Sequence, residues 1–317
     1  MPSARRPIVV VGSINIDLVA STERIPVQGE TVLGNSFQIH PGGKGANQAV
    51  AIGRLGYPVR MIGCLGDDIF GAQLRSHMED AGVEMSGVAT SAASASGVAL
   101  IVVARSGENS IVIAPGANAS VTPEYVESHV EIIRSAGLVL TQLEIPLETV
   151  ECLANICERE DVPLILDPAP ARELPRSLLR GVTWFTPNET EAAFFLGGPQ
   201  DERETARLLE VQGVTGLVLK LGARGAYLAS VDGRREFIES FKANAVDTTA
   251  AGDAFNGAFA TALMLGMAPR DAARFACAAA SISVTRAGAQ PSMPALHEVE
   301  EVLAQARARI ADPHFPD

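Results

Sequence analysis

The sequence predicts an α/β fold: a mostly parallel central sheet, helices on both of its faces, and a small additional β-sheet. Three observations carry that expectation. Short β-branched runs alternate with amphipathic stretches along most of the 317 residues, the pattern of parallel strands joined by crossover helices. Gly- or Pro-marked turns separate the runs. Two places break the alternation, with strand-like runs that follow one another without a helix.

Taken in order, "IVVVGS" reads as a buried strand, "GANQAVAIGRLG" as a helix, "VRMIGCLG" as a strand and "FGAQLRSHMEDAG" as a helix. Thr122 and Pro123 form a cap and first-turn pair ahead of the helix "EYVESHVEIIRSAG", followed by the strand "LVLTQLE". The helix "LETVECLANICERE" and the strand "VPLILDP" come next, then "WFTPN", the helices "ETEAAFFLG" and "DERETARLLE", and the strand "GLVLKLG". The exceptions are "ETVLGNSFQIH" and the pair "GVALIVVA" and "NSIVIAPG" around the turn "RSGE". They predict antiparallel strands in a small separate sheet, either a lid over a site or an edge sheet without function. No solenoid repeat or low-complexity tract interrupts the chain. A single α/β domain over 1–317 is expected, with inserted strands within about 15–41 and 96–115.

A hydrophobic content of 47% and a charged content of 20% suit a packed core. The net charge of −12 makes nucleic acid a poor partner, since phosphate binding needs a concentrated basic surface. Cys64, Cys152, Cys157 and Cys277 contain no CxxC pair, which speaks against a zinc site or disulfide framework and suits a reducing compartment. The apolar run after "MPSARR" is too short for a signal sequence or a membrane span. A cytoplasmic protein with no membrane partner is expected.

Ligands of open parallel sheets bind beyond the carboxyl ends of the strands, and here those ends are polar. They offer Asn15 and Asp17, Glu144, Asp167, Asn188 and Glu191, and Lys220 and Arg224. The sequence lacks GxxxxGK[ST], a complete dinucleotide fingerprint, HExxH and GxSxG. The segment "PGGKGANQA" is either a close-approach loop, with Lys44 and Asn47 to meet a ligand, or a tight turn before a helix. In "DTTAAGDAFNGAF", small residues lead into a helix start suited to an anion, yet Asp253 places a carboxylate there. Asp247 on its own reads as a turn or cap residue.

Taken together, "GSINID", "GGKGANQAV", "GDD", "GAN", "DPAPARELP", "TPNETE", "LGARG", "DTTAAGDAFNGA" and "TRAGAQPS" resemble, in order, the ribokinase-like (PfkB) carbohydrate kinase family over nearly the whole chain. "GSINID", "PAPARELP" and "GAQPS" narrow the resemblance toward its ribose-phosphorylating members. It implies ATP-dependent phosphorylation of the 5-hydroxyl of D-ribose. Asn15, Asp17, Gly43, Lys44, Gly45, Ala46, Asn47 and Glu144 would then hold the sugar. Asp253 would be the base, beside an anion hole at Ala250, Ala251, Gly252 and Asp253. The resemblance further implies that Asn188 and Lys220, Leu221, Gly222, Ala223, Arg224 and Gly225 line ATP, and that Glu191 organises Mg2+ through water. Asp247, Thr249, Ser283, Arg286, Gly288 and Ser292 would supply oxygens to a monovalent cation, usually K+. A homodimer through the lid strands is implied as well. Cys277 departs from the His or Asn common near the adenine. The alternatives are a related kinase for deoxyribose, fructose or a nucleoside, or a non-catalytic sugar-binding regulator.

Overall fold

The computed structural model describes residues 5–230 and 232–311, the side chains of 309–311 excepted. In chain order its strands and helices are β1 (Ile8–Val11), β2 (Asn15–Thr22), β3 (Gly34–Gly42), α1 (Lys44–Arg54), β4 (Val59–Gly66), α2 (Ile69–Asp80), β5 (Val83–Ser91), β6 (Gly97–Ala104) and β7 (Asn109–Ala114). Then come α3 (Pro123–Ser128), α4 (Val130–Ser135), β8 (Leu138–Thr141), α5 (Leu147–Arg159), β9 (Leu164–Leu166), α6 (Arg176–Arg180), β10 (Trp184–Phe185), α7 (Glu189–Leu196) and α8 (Glu202–Gln212). The last are β11 (Gly216–Lys220), β12 (Gly225–Ser230), β13 (Arg235–Glu239), α9 (Ala251–Met264), α10 (Pro269–Ser283) and α11 (Leu296–Ala311).

Nine strands form the main sheet in the order β13-β12-β11-β10-β9-β8-β1-β4-β5. All neighbours run parallel except β11–β12 and β12–β13. On β1, Ile8 and Val10 point into one core with α1, α2 and α9–α11, while Val9 and Val11 point into a second with α3–α8. That alternation makes both faces apolar, as a sheet covered on two sides requires. From β1 the chain builds outward to β4 on one side and later to β8 on the other. The strand order therefore reverses at β1, and a crevice opens beyond its carboxyl end.

The second sheet has the order β3-β2-β6-β7. The structure differs from the sequence reading in five places. The run "GSINID" is not one strand end: β1 stops at Val11, and Asn15 starts β2 in the small sheet. Because β2 pairs in parallel with β6, the small sheet is mixed, not purely antiparallel. The helix expected through "EYVESHVEIIRSAG" breaks at His129, whose imidazole Nδ1 bonds the Tyr125 carbonyl at 2.8 Å. Moreover, "ETVL" precedes β3 without strand structure, and the hairpin β12–β13 was not foreseen.

Phe37, Ile39, Leu100 and Val112 lie on one face of the small sheet and remain exposed. Asp17 points to the opposite face, paired across the strands with His40 and Ala99. At the start of α1, Gly43 has φ 86° and ψ 129° and no side-chain cap. A Cβ there would sit 2.6 Å from the Asn15 backbone nitrogen. Backbone conformation and space both demand glycine. We expect Gly43→Ala to destabilise the protein by about 2–4 kcal/mol, from left-handed strain plus overpacking. Thermal unfolding should show a midpoint lower by several degrees, and an unchanged midpoint would refute the argument.

Candidate active site

Two helix starts meet beyond the carboxyl end of β1. Helix α9 begins at Ala250, a non-glycine residue held at φ 58° and lacking a side-chain cap. Such strain persists where the surroundings impose it, commonly at functional sites. The Ala251 N–H bonds the Thr248 carbonyl at 3.2 Å. Those of Gly252 and Asp253 find no acceptor among the described residues, so two backbone donors stand open at the positive end of the helix dipole.

The Asp253 carboxylate turns away from these donors. Asn47 Nδ2 donates to its Oδ2 at 2.9 Å and Gln48 Nε2 to its Oδ1 at 3.0 Å. Both amides come from the first turn of α1. They are themselves fixed, Asn47 by Gln290 at 3.1 Å and Gln48 by Gln142 at 2.5 Å. Gln48 Nε2 also reaches Asp167 Oδ2 at 2.9 Å, and Lys220 Nζ reaches Asp167 Oδ1 at 2.8 Å. Burial pushes the Asp253 carboxyl up to about 6 against the pull of Lys44, with Asp167 adding to the rise and the two amides opposing it. For Lys44, burial works against the charge, but Asp253, Asp167, Glu144 and Glu191 hold it above the ordinary lysine range.

Around the loop of Gly43, Glu144 Oε2 accepts from Ser13 Oγ at 2.6 Å, the Lys44 N–H at 3.1 Å and Asn15 Nδ2 at 3.5 Å. Asn118 grips the neighbouring backbone, taking the Ile14 N–H at 2.9 Å and donating to Asn15 Oδ1 at 2.7 Å. The Asp17 carboxylate has no donor among the described side chains. Burial pushes it up to about 7, with Glu144 and Asp253 contributing. Several sugar-side residues named from the sequence are thereby linked: Asn15 and Lys44 to Glu144, Asn47 to Asp253, and Asp17 to the charges of Glu144 and Asp253.

A cleft of about 700 Å³ adjoins the start of α9. Lys220, Gly222, Ala223 and Gly225 line one wall, and Phe255 and Cys277 lie on another. Leu221 is buried in the core, and Arg224 faces outward to pair with Glu189 at 2.6 Å and Glu202. Neither side chain lines the cleft. Asn188 and Glu191 form a reciprocal capping box at the start of α7, with bonds of 2.7 and 2.8 Å. Burial raises the Glu191 carboxyl, and Lys220 pulls it down. Asp247 accepts the N–H of Thr249 at 2.8 Å and of Gly288 at 2.9 Å, tying two loops together. Ser283 and Ser292 donate to nearby carbonyls, and Arg286 pairs with Glu298.

Sequence reading missed Ser13, Gln48, Asn118, Gln142 and Gln290. Ser13, Gln48, Asn118 and Gln290 lie inside the quoted motifs and Gln142 two residues before Glu144, yet the sequence assigns none of them a role; each bonds another side chain. The loop from Ser240 to Ala245 in the cleft wall carried no signal either.

A buried carboxylate beside open helix-start donors, at the switch point of a parallel sheet, defines a sugar-kinase type of site. A profile of the pfkB family carbohydrate kinases matches residues 5–296. The chain is 44% identical over 299 residues to a ribokinase of Bacillus subtilis, covering 94% of this chain and all of that one. A deoxyribokinase of Salmonella typhimurium is 37% identical over 302 residues, covering 94% of this chain and 98% of its own. The structure of Arabidopsis thaliana ribokinase complexed with ribose and ATP superposes with a TM-score of 0.89 at 36% identity, covering 95% and 99% of the two chains. The chain belongs to the pfkB family of carbohydrate kinases, and is an ATP-dependent sugar kinase.

Asp17 titrates near 7 in the folded chain and at its ordinary 3.8 when unfolded. The folded state thus binds this proton more tightly, and Asp17 withdraws stability as pH rises from about 4 to about 7. Asp17→Asn should unfold at a higher temperature than the parent at pH 7, with the difference closing toward pH 4. Parallel midpoint curves for the two proteins would contradict the assignment.

Proposed function

We propose that this kinase transfers the terminal phosphoryl group of ATP to the 5-hydroxyl of D-ribose, giving D-ribose 5-phosphate and ADP. The carrying observation is the division of labour at the start of α9: open N–H groups at Gly252 and Asp253, and the Asp253 carboxylate held to one side by α1. The identity to ribokinases over the whole chain supports the choice of sugar.

Asn15, Asp17, Asn47 and Glu144 offer the acceptors and amides that sugar hydroxyls need, and the backbone of Gly43–Ala46 allows close approach. Asp17, lacking a donor of its own, accepts from ribose hydroxyls. Asp253 takes the proton of the attacking hydroxyl as the new O–P bond forms and the bond to ADP breaks. A carboxylate suffices as base when proton transfer is late, as in a loose, metaphosphate-like transition state. The N–H groups at Gly252 and Asp253, with Ala250 and Ala251 shaping the turn, stabilise charge on the transferring group. Lys44 adds a positive charge. ATP occupies the cleft beside Lys220, Gly222, Ala223 and Gly225, with Asn188 and Glu191 at its phosphate end.

Glu191 uses one oxygen in its capping box and leaves the other available, which fits Mg2+ held mainly by water and phosphate. Mg2+ supplies charge neutralisation on the phosphates. A K+ ion would be held at the two loops tied by Asp247, where that carboxylate, the Ser283 and Ser292 oxygens and carbonyls at Thr249, Arg286 and Gly288 would offer it oxygen only. Arg286 would contribute backbone only, because its guanidinium is committed to Glu298.

The small sheet acts as a lid that excludes water from the phosphoryl group. Its exposed apolar face of Phe37, Ile39, Leu100 and Val112 pairs with the same face of a second copy, giving a homodimer. No described helix is long and apolar enough to cross a membrane, and a cytoplasmic location fits the free cysteines. Deoxyribose is the second reading, carried by the deoxyribokinase match.

Asp253→Asn should lower kcat by about 10²–10⁴-fold with little change in ribose affinity, in a coupled assay run over ribose, deoxyribose, fructose and nucleosides. Near-parent turnover in the variant would remove Asp253 as base, and preference for deoxyribose would reassign the substrate. Sedimentation velocity at micromolar concentration should show a dimer, and Leu100→Glu a monomer. A parent protein already monomeric at that concentration would refute the lid interface.

A further inference from the structure

From the hydrogen-bond chain we infer that Lys220, Asp167 and Gln48 form a positioning unit for Asp253, with the Gln48 amide wedged between two carboxylates and Lys220 compensating the outer one. The inference rests on the reading of Asp253 as base. None of the three need touch the reacting hydroxyl.

The geometry leaves Gln48 little freedom. Its Nε2 carries two hydrogens, one bound to Asp253 Oδ1 at 3.0 Å and one to Asp167 Oδ2 at 2.9 Å. Its Oε1 accepts from Gln142. The side chain is fully buried and every amide group is used, so its orientation is fixed. Asp167 is 1% exposed. An ionised carboxylate there needs a cation, and Lys220 Nζ provides one at 2.8 Å. The same ammonium lies 3.5 Å from where a Cβ on Gly252 would be. Lys220 is therefore held by Asp167 beside Gly252 at the start of α9.

This arrangement solves a specific problem. Two carboxylates in one buried space repel, and one of them is normally forced to take up a proton. Here a neutral amide separates them and donates to both. The ammonium cancels the charge that Asp253 does not need. Asp253 also feels the charge of Lys44 on α1 and acts on Asp17 of β2, and Lys44 in turn feels Glu144 and Glu191. The unit also carries position along the sheet: β11 supplies Lys220, the end of β9 supplies Asp167, and α1 supplies Gln48. A displacement of the cleft wall at β11 is thereby transmitted to the base.

The test is the acid limb of the kcat–pH profile, which reports the base in the substrate complex. Asp167→Asn removes a like charge and should move the limb down by about one pH unit. Gln48→Leu removes a donor to the ionised form and should move it up, with kcat reduced about tenfold or more. Lys220→Met leaves Asp167 uncompensated and should also move it up. In the Asp167→Asn background that last shift should vanish, because the charge it uncovers is gone. Asp167→Asn and Lys220→Met are close in shape to the parents, and thermal midpoints with nucleotide KM identify any variant that has lost its fold or its ATP affinity. Limbs that stay in place, that move the same way in Asp167→Asn and Gln48→Leu, or a Lys220→Met shift undiminished without Asp167 would overturn the proposal. If Asp253→Asn abolishes turnover while these limbs stay still, the unit fails and the base reading survives. If Asp253→Asn keeps full turnover, both fall.

Discussion

The contact between the first turns of α1 and α9 governs the rest of the molecule. It brings Asn47 and Gln48 onto Asp253, and a buried carboxylate without those donors would be costly enough to neutralise itself. The two helices can approach because α9 carries Gly257 one turn further on. A Cβ there would come within 2.7 Å of the Ala51 methyl and 2.9 Å of the Gln48 carbonyl oxygen. Packing and polar satisfaction thus depend on one small residue. Gln290 and Gln142 then hold the two amides from behind, so the carboxylate is gripped by groups that are themselves gripped.

Charge follows from the same contact. The chain is strongly acidic, and its crevice gathers Asp17, Glu144, Asp167, Glu191 and Asp253 around Lys44 and Lys220. Burial raises the carboxyls of Asp17 and Asp253 and neighbouring carboxylates add to the rise, while the same excess holds Lys44 up against its own burial. A polyanion is admitted to this acidic site by fixed backbone donors and two lysines, not by a basic surface. On the proposed reading, carboxylates that face the sugar would accept hydrogen bonds from its hydroxyls, which would lower their cost of burial. Sugar hydroxyls would relieve part of that tension, whereas the charge of the nucleotide would be met by the open N–H groups and the two lysines.

Much of this was legible beforehand. Alternating runs revealed the sheet and most helices, since β-branched periodicity and turn residues are local signals. The motif residues Asn15, Asp17, Asn47, Glu144 and Asp253 converge because strand ends and helix starts share one edge of a parallel sheet. What stayed hidden is long-range. Gln290 lies 243 residues from the Asn47 it orients, and Gln142 lies 94 from Gln48; a glutamine carries no spacing rule that could announce either bond. Leu221 and Arg224 looked like cleft residues because they sit in the right segment. Their side chains turn elsewhere, one into the core and one to surface carboxylates.

The junction of the two sheets constrains how the site can close. The chain leaves β1 at Val11 and enters β2 at Asn15, so one short stretch serves both sheets. Asn118 clamps that stretch, bonding the Ile14 N–H and carbonyl and the Asn15 side chain. Glu144 clamps it again through Ser13. Asn15 is thus tied to Asn118 and Glu144 as well as to Gly42 and Gly97 of the small sheet, whereas Asp17 lies two residues further along β2, beyond the last clamp. Any rotation of the small sheet must pivot between these positions. It would carry Asp17 toward or away from a hydroxyl while Asn15, Glu144 and Asp253 stay in place. On the reading of the small sheet as a lid, closure would be coupled to Asp17, which has no donor among the described side chains, and a sugar that satisfies Asp17 would draw the sheet down.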